Sequence, residues 1–377
     1  MTKKIILILL SLFIISTLQS QERDQLKKEI DKIIHYDTNI KFTETPGMVI
    51  GVKYQDSVFF YGFGSTSKDV EKMPNENTIF EIGGLTKAFT ASLVGVLVNE
   101  GKMDYDQPFN AYLPPTEQNQ YLEKLTIGEL ITHTSQMPRM PTEFGVKERE
   151  PNNPYAHYTK QDLMGFYKDY IIIPSKRKEK KRKRQSANNY AYSHVNYALL
   201  ERAIENSQKT DFSTILSDQI LMPIGMMDTK VELSSEQAER LAKGYNVAGT
   251  STPPWTFQSF EASQGLKSTA KDLMKFMETH MGKRNPELTA AFELTHGGRI
   301  QTGLDKRVEV SKGWHIISPK KKYHDIVAHT GNTNGHRAYI AFVKESETAV
   351  VILSNSERNL QNLGYLILSM LNNNWKK

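Results

Sequence analysis

Residues 80–87, Phe-Glu-Ile-Gly-Gly-Leu-Thr-Lys, constrain this chain more than any other segment. They lead into a helix that we expect to begin at Gly84, because the apolar residues that follow recur with helical spacing: Phe89, Leu93, Val96 and Leu97. Residues three positions apart share a helix face, so we expect the Lys87 ammonium to lean over position 84. In a Ser-x-x-Lys arrangement a serine hydroxyl stands at that position, and the lysine helps to remove its proton. Here position 84 is glycine. The segment therefore predicts a site that keeps the lysine of a Ser-x-x-Lys arrangement and lacks the nucleophilic serine.

Strand-like and helical segments divide the chain into two parts. Residues 48–54 and 58–63 are apolar and β-branched runs that predict an antiparallel hairpin. Similar runs near the other end predict further strands at 308–310, 313–317, 326–329, 338–343 and 349–353. The last of these runs is continuously apolar, as in a strand buried on both faces. We therefore predict an α+β fold, in which both chain ends supply one antiparallel sheet flanked by helices and the middle is mostly helical.

The predicted domain boundaries follow from this division. The 377-residue length allows two interleaved units with an ample core. We expect a sheet domain made of residues 21–103 and 230–377, and a mostly helical domain at residues 104–229. Helices are predicted within the helical domain at 126–133, 160–168, 195–205 and 211–221. In the sheet domain, helical apolar patterns occur near residues 26–34, 268–281 and 363–371.

Residues 1–20 differ in composition from the rest of the chain. Lys3 and Lys4 precede an apolar run that is shorter than the about 20 residues of a membrane span, which is typical of a secretory signal peptide. We expect cleavage near Ser20, with an uncleaved membrane anchor as the alternative. The chain contains no cysteine, which excludes disulfides, thiolate metal sites and a lipidated N-terminal cysteine. The prediction is an exported protein, periplasmic or secreted, with no transmembrane span after signal cleavage.

The net charge of +6 is concentrated in one short segment. Residues 176–184 contain eight bases and one acid, so the rest of the chain after the signal is mildly acidic. Such a run is usually a solvated loop. The alternative is a contact with an anionic surface polymer or with lipid headgroups. No nucleic-acid partner is expected, because a nuclear role conflicts with the export signal.

Three segments that are far apart in sequence carry a combined signature. The first is 80–87, the second is Tyr192-Ser193-His194, and the third is His329-Thr330-Gly331. Together they resemble the active-site signature of the penicillin-recognising serine hydrolases, in the branch with class C β-lactamases, D-alanyl-D-alanine carboxypeptidases and related esterases. That family has Gly-Ser-x-Thr-Lys, Tyr-x-Asn and Lys-Thr-Gly or His-x-Gly at these places. The resemblance covers about residues 48–353, and it implies the fold predicted above.

The resemblance also implies a role for each matching residue. Lys87 and Tyr192 would share proton transfer, while His329, Thr330 and Gly331 would line a substrate strand that binds the ligand's carboxylate. His194 is also expected to bind the substrate. In the family two backbone N–H groups stabilise the oxyanion that forms on the carbonyl. The corresponding donors here would be Gly84 and Asn332. His133, in a segment similar to the family's Leu-Leu-Thr-His-Thr-Ser-Gly-Leu helix end, is assigned no chemistry.

Two departures from the family pattern affect the functional interpretation. Gly84 replaces the serine, and His194 replaces an asparagine with an imidazole that can titrate near neutral pH. Thr86 is expected to point away from Lys87, and Ser193 is expected in a loop. A water above Gly84 is therefore a better replacement for the serine hydroxyl than either side chain.

Three functional hypotheses follow from these departures. The first is a protein that binds a peptide, amide or ester ligand and cannot form a serine acyl-enzyme. The second is an active hydrolase of the β-lactamase, D-amino-acid peptidase or esterase type that uses water or another nucleophile. The third is a non-catalytic envelope protein that acts through residues 176–184. No cofactor is expected, and the histidines show no metal-ligand spacing, so no metal is predicted.

Overall fold

The computed structural model describes residues 20–144, 153–172, 190–303, 305–319 and 324–373. The predicted signal peptide, apart from Ser20, and the basic run at 176–184 lie outside the described residues. Within these ranges, no helix combines the length and the apolar character that crossing a membrane requires.

An antiparallel sheet of eight strands forms the centre of the fold, in the order β2-β1-β12-β11-β10-β9-β8-β7. Its strands are β1 (Gly47–Tyr54), β2 (Ser57–Gly64), β7 (Ile300–Gln301), β8 (Val308–Val310), β9 (His315–Ile317), β10 (Ile326–Asn332), β11 (Arg337–Val343) and β12 (Thr348–Ser354). Short two-stranded pairs are formed by β3 (Ile79–Glu81) with β6 (Lys267–Thr269) and by β4 (Gly244–Tyr245) with β5 (Ser251–Thr252). The predicted α+β fold with a sheet from both chain ends is confirmed.

The central strand β12 joins the two chain ends. It pairs with β1 from Met48 opposite Ser354 to Tyr54 opposite Thr348, and all seven of its residues are buried. This confirms the prediction, made from the apolar run at 349–353, of a strand covered on both faces. Side chains of a strand alternate between the faces of its sheet. Accordingly, Val49 joins the apolar core on one face, and Met48 and Ile50 join the core on the other.

Helices cover both faces of this sheet. The helices in chain order are α1 (20–32), α2 (Thr86–Asn99), α3 (Ile127–Ile131), α4 (Lys160–Asp169), α5 (His194–Gln208), α6 (Phe212–Leu216), α7 (Ser235–Ala238), α8 (Glu261–Gln264), α9 (Ala270–His280), α10 (Pro286–Glu293) and α11 (Gln361–Asn372). α1 continues as a π-helix over Ile33–Asp37, and a second π-helix, Ser217–Leu221, follows α6. α1 and α11 share one core with the sheet, and α2, α9 and α10 share the other.

The middle of the chain is helical where the structure describes it. Between residues 104 and 229, the regular elements within the described ranges are α3 to α6, the π-helix after α6 and two 3₁₀ turns, Phe109–Tyr112 and Pro115–Glu117. Thr126 begins α3 and Thr159 begins α4, each in a reciprocal capping box with an acidic residue three positions on. The predicted helices therefore form within a few residues of their expected ends. The exact domain boundaries stay a prediction.

A histidine pair beneath the sheet, with His280 buried and His296 half-buried, makes stability depend on pH. His280 Nδ1 lies 3.0 Å from His296 Nε2, and His280 Nε2 lies 3.1 Å from the Ser92 hydroxyl. Removal from water disfavours the charged imidazolium and lowers the pKa of His296 from 6.5 to about 4. The unfolded chain therefore binds this proton first as the pH falls, so the native state loses stability from about pH 6.5 down to pH 4.

We predict that replacing His296 by Gln removes this contribution to the pH dependence. Two and a half pH units correspond to roughly 3 kcal/mol of unfolding free energy. Denaturant unfolding at pH 7 and at pH 4.5 measures the unfolding free energy at each pH. The stability lost between these two pH values should be smaller in the His296→Gln variant than in the native protein. An equal loss in both proteins contradicts the prediction.

Candidate active site

The predicted site centres on a tight turn between β3 and α2. Gly83 and Gly84 lie in a 3₁₀ turn, Gly83–Leu85, and α2 begins at Thr86, so the regular helix starts two residues after the predicted start at Gly84. Gly83 has φ of +48°, and a Cβ there would lie 2.4 Å from the backbone oxygen of Asn332. Only glycine fits such a position. The Gly-Gly pair thus lets β10 approach the start of α2 closely.

The space above Gly84 is surrounded by oxygen atoms. A Cβ at this position would lie 3.1 Å from Tyr192 Oη, 3.6 Å from Gln264 Oε1 and 3.6 Å from the Thr330 carbonyl oxygen. Gly84 does not have a positive φ, so its backbone suits any residue type. A side chain at position 84 would therefore point into this space, and it would require only a small shift of the Tyr192 hydroxyl.

Lys87 lies one turn along α2 and is completely buried. Its Nζ donates to the Ser263 carbonyl oxygen at 2.8 Å and contacts His194 Nδ1 at 3.0 Å. The amine also lies 5.2 Å from the centre of the Tyr192 ring. Burial, assisted by the nearby charge of Arg139, lowers the pKa of Lys87 well below its usual range. A lowered pKa favours the neutral amine, which is the form of lysine that can accept a proton.

Tyr192 directs its hydroxyl to Gly84, and a histidine supports its ring. The ring centres of His133 and Tyr192 lie 4.5 Å apart, and His133 Nδ1 accepts a hydrogen bond from Ser193 N at 3.1 Å. Burial raises the pKa of Tyr192 above its ordinary value, so its phenol keeps its proton at neutral pH. Sequence reasoning assigns no chemistry to His133, although the Thr-His-Thr-Ser segment signals its place at the end of α3.

His194 stands at the first position of α5 and bonds two site residues. Its Nδ1 contacts Lys87 Nζ and also accepts from Gln264 Nε2 at 2.6 Å. Burial and the neighbouring Lys87 lower the pKa of His194 well below 6.5. This corrects the expectation that His194 titrates near neutral pH, because removal from water favours the neutral imidazole. Sequence reasoning missed Gln264, which is the last residue of α8.

The third predicted segment lies on β10, next to the Gly-Gly turn. His329 is buried, its Nδ1–H donates to the Thr330 carbonyl oxygen at 2.8 Å, and burial lowers its pKa well below 6.5. A Cβ on Gly331 would lie 1.8 Å from the Ile82 carbonyl oxygen, so the strand touches the turn directly. Asn332 follows with its backbone against Gly83. Strand β10 thus brings Thr330, Gly331 and Asn332 against the turn at Gly83 and Gly84.

The hydroxyl groups of Thr86 and Ser193 are the neighbours of the space above Gly84. Both are engaged in hydrogen bonds to other groups. Thr86 Oγ1 accepts a hydrogen bond from Leu266 N at 3.1 Å. Ser193 Oγ donates to the Pro138 carbonyl oxygen at 2.6 Å and caps α5 by accepting from Asn196 N. Both hydroxyl groups stabilise the backbone.

In the described ranges, no cluster of His, Asp or Glu is arranged to hold a metal ion.

Comparison with known proteins agrees with this fold. The family model described as Beta-lactamase matches residues 38–370. A β-lactamase from Providencia stuartii is 25% identical, with 87% of this chain and 86% of that protein covered. The D-alanyl-D-alanine-carboxypeptidase/endopeptidase AmpH of Escherichia coli K12 is 23% identical, with 82% and 80% covered.

Solved structures show the same likeness. A class C β-lactamase superposes with a TM-score of 0.76 at 22% identity, with 92% of this chain and 97% of that chain covered. A β-lactamase/D-alanine carboxypeptidase from Pseudomonas syringae superposes with a TM-score of 0.74 at 20% identity, with 93% and 98% covered. The family match spans most of the sequence and the structural likeness spans most of the fold. The chain therefore belongs to the β-lactamase family.

Proposed function

We propose that this protein binds a small peptide, amide or ester ligand above Gly84, without forming a serine acyl-enzyme, and hydrolyses it slowly or not at all. The observation that carries the proposal is the geometry at Gly84. The position faces Tyr192 Oη, lies one turn before the buried Lys87 and offers no hydroxyl. Without an oxygen there, no covalent ester can form at this position, whatever the surrounding groups bind.

The remaining groups support ligand binding in this place. The backbone N–H groups of Gly84 and Asn332 are the proposed donors to a ligand carbonyl oxygen, since a glycine keeps its backbone donor. Thr330 and Gly331, with His329, form the proposed strand wall. His194 holds Lys87, and Tyr192 closes the space above Gly84.

The names of related proteins support the ligand class. The similar proteins are called β-lactamases and D-alanyl-D-alanine carboxypeptidases, and one class C β-lactamase with a TM-score of 0.76 was solved in complex with cefoxitin. Cyclic amides and peptide amides are therefore the first compounds to test. Fold alone does not fix the reaction, so this support concerns the ligand class only.

A second candidate, slow hydrolysis by water, is favoured by the oxygens around Gly84. Tyr192 Oη, Gln264 Oε1 and the Thr330 carbonyl oxygen converge on the point that a side chain at position 84 would occupy. The Gln264 oxygen is buried and makes no hydrogen bond to the described residues. These groups can hold a water, and the lowered pKa of Lys87 suits it to accept the water's proton. Sites without their nucleophile retain roughly 10³ to 10⁴-fold rate enhancement over water elsewhere.

A binding and turnover assay tests the proposal and separates the two candidates. Native protein incubated with benzylpenicillin should bind it reversibly and release it intact after dialysis. With p-nitrophenyl acetate, the first candidate predicts no turnover above background. Slow turnover that both Lys87→Met and Tyr192→Phe abolish would favour the second. Absence of any binding, with pocket substitutions silent, would contradict both.

The cellular setting belongs to the same proposal. We infer export from the signal-like residues 1–20. The third hypothesis, an envelope protein that acts through anionic polymer or lipid contacts at 176–184, concerns residues outside the described ranges and stays a hypothesis.

A further inference from the structure

Arg139 brings a permanent positive charge to the edge of the candidate active site. Its side chain is exposed, and its guanidinium carbon lies 5.3 Å from the centre of the Tyr192 ring. Its backbone oxygen accepts a hydrogen bond from His194 N at 2.9 Å, which fixes this loop to the start of α5. An arginine stays protonated in proteins at any physiological pH.

The other basic groups of the site lack this permanent charge. Burial lowers the pKa of Lys87, His133, His194 and His329 well below their usual values. The histidines are therefore neutral at neutral pH. His329, which occupies the place of the family's strand lysine, also uses its Nδ1–H on the Thr330 carbonyl oxygen. The His329-Thr330-Gly331 segment of β10 therefore presents no positive charge to a ligand.

No protein carboxylate neutralises Arg139 within the described part of the chain. No Asp or Glu there lies within ion-pair distance of its guanidinium. The positive charge instead acts on the site itself, where it contributes to the pKa values of Lys87, His133, Tyr155, Tyr190, Tyr192 and His194. No Asp or Glu is among the causes of these six pKa shifts. As far as the described residues are concerned, the charge of Arg139 therefore remains available to an anion.

We propose that Arg139 is a specificity-determining residue that binds a carboxylate of the ligand, in place of a cation on the β10 strand. The inference rests on the proposed function, because the ligand is the one that occupies the space above Gly84. Tyr192 contacts both Gly84 and Arg139, since its hydroxyl faces Gly84 and its ring faces Arg139. A ligand centred on Gly84 therefore reaches the guanidinium by extending along one tyrosine ring. Guanidinium and carboxylate form paired, charge-assisted hydrogen bonds.

The test compares two probes that differ in one charge. Binding of N-acetyl-D-alanyl-D-alanine and of its C-terminal carboxamide is measured by titration calorimetry. The native protein should bind the carboxylate about tenfold more tightly than the amide, as expected for one hydrogen-bonded charge pair. Arg139→Gln should remove this preference and leave amide binding unchanged, whereas Arg139→Lys should keep part of it. The preference should also weaken with added salt.

A matched control uses Arg307, which is exposed, paired with Asp305 and close to Tyr365 of α11. Arg307→Gln should leave both affinities unchanged. Equal binding of the two probes by the native protein, a preference that survives Arg139→Gln, or no binding of the carboxylate at millimolar concentration overturns the inference. The proposed function fails on a different readout, which is a covalent adduct in the intact mass of the native protein.

Discussion

Gly84→Ser should give this protein a covalent acylation that it otherwise lacks. The backbone at position 84 accepts an L-residue, and the new Cβ would lie 3.1 Å from Tyr192 Oη, so the tyrosine needs to move by only a few tenths of an ångström. The serine oxygen would then lie close to the tyrosine hydroxyl, one turn from Lys87. We expect labelling by a fluorescent penicillin, with a rate at least about 10²-fold above that of native protein, since loss of a nucleophile elsewhere costs far more.

Gly84→Ala is the control for this gain. It adds the same Cβ without an oxygen and should give no labelling, so any gain in the serine variant comes from the hydroxyl. Lys87→Met in the serine background should reduce labelling strongly, because the hydroxyl needs a base to become a nucleophile. If the serine variant folds, binds benzylpenicillin and is never acylated, position 84 is not the nucleophile position and the proposed function loses its basis.

Gly331→Ala should destabilise the protein severely, although it adds only one methyl group. The added Cβ would lie 1.8 Å from the Ile82 carbonyl oxygen and 2.7 Å from Leu85 N. Both are backbone atoms of the turn that leads into α2, so no side-chain rotation relieves the clash. Separation of β10 from this turn should cost at least about 3 kcal/mol of unfolding free energy. Denaturant unfolding of the purified variant measures the loss.

Gly165→Ala is the matched control for this substitution. Gly165 lies inside α4, and a Cβ there meets no atom within 4 Å. Alanine is the better helix former, so this variant should gain roughly 0.5–1 kcal/mol. A Gly331→Ala protein as stable as the native one would show that β10 and the turn are not in close contact, and the proposed oxyanion donors at Gly84 and Asn332 would then not face one space.

The positions of strands and helices could be predicted because buried positions are apolar and recur with the period of the strand or helix. The run at 349–353 is apolar at every position, since both faces of β12 are covered. The predicted start of α2 is two residues early. Helical spacing of apolar residues reveals neither the positive φ of Gly83 nor the 3₁₀ turn that precedes α2.

The candidate site was only partly accessible to sequence reasoning. Family motifs identify Lys87 and Tyr192 and predict them as a proton-transfer pair, and this role stays a prediction. The contacts that hold Lys87 are made instead by His194 and by a backbone oxygen, Ser263 O. A backbone carbonyl carries no residue-specific signal, so no motif could reveal it. Arg139 and Gln264 were missed for a related reason, because only the tertiary fold places their segments beside Tyr192 and His194.

Intact-mass spectrometry of the native protein tests the central claim most directly. The protein is incubated with benzylpenicillin or with a fluorophosphonate, and its mass is recorded before and after, followed by peptide mapping. We predict an unchanged mass, because the oxygen that would carry an acyl or phosphonyl group is absent at position 84. A mass increase that maps to any residue of the cleft would contradict the account, since it would identify a working nucleophile in this site.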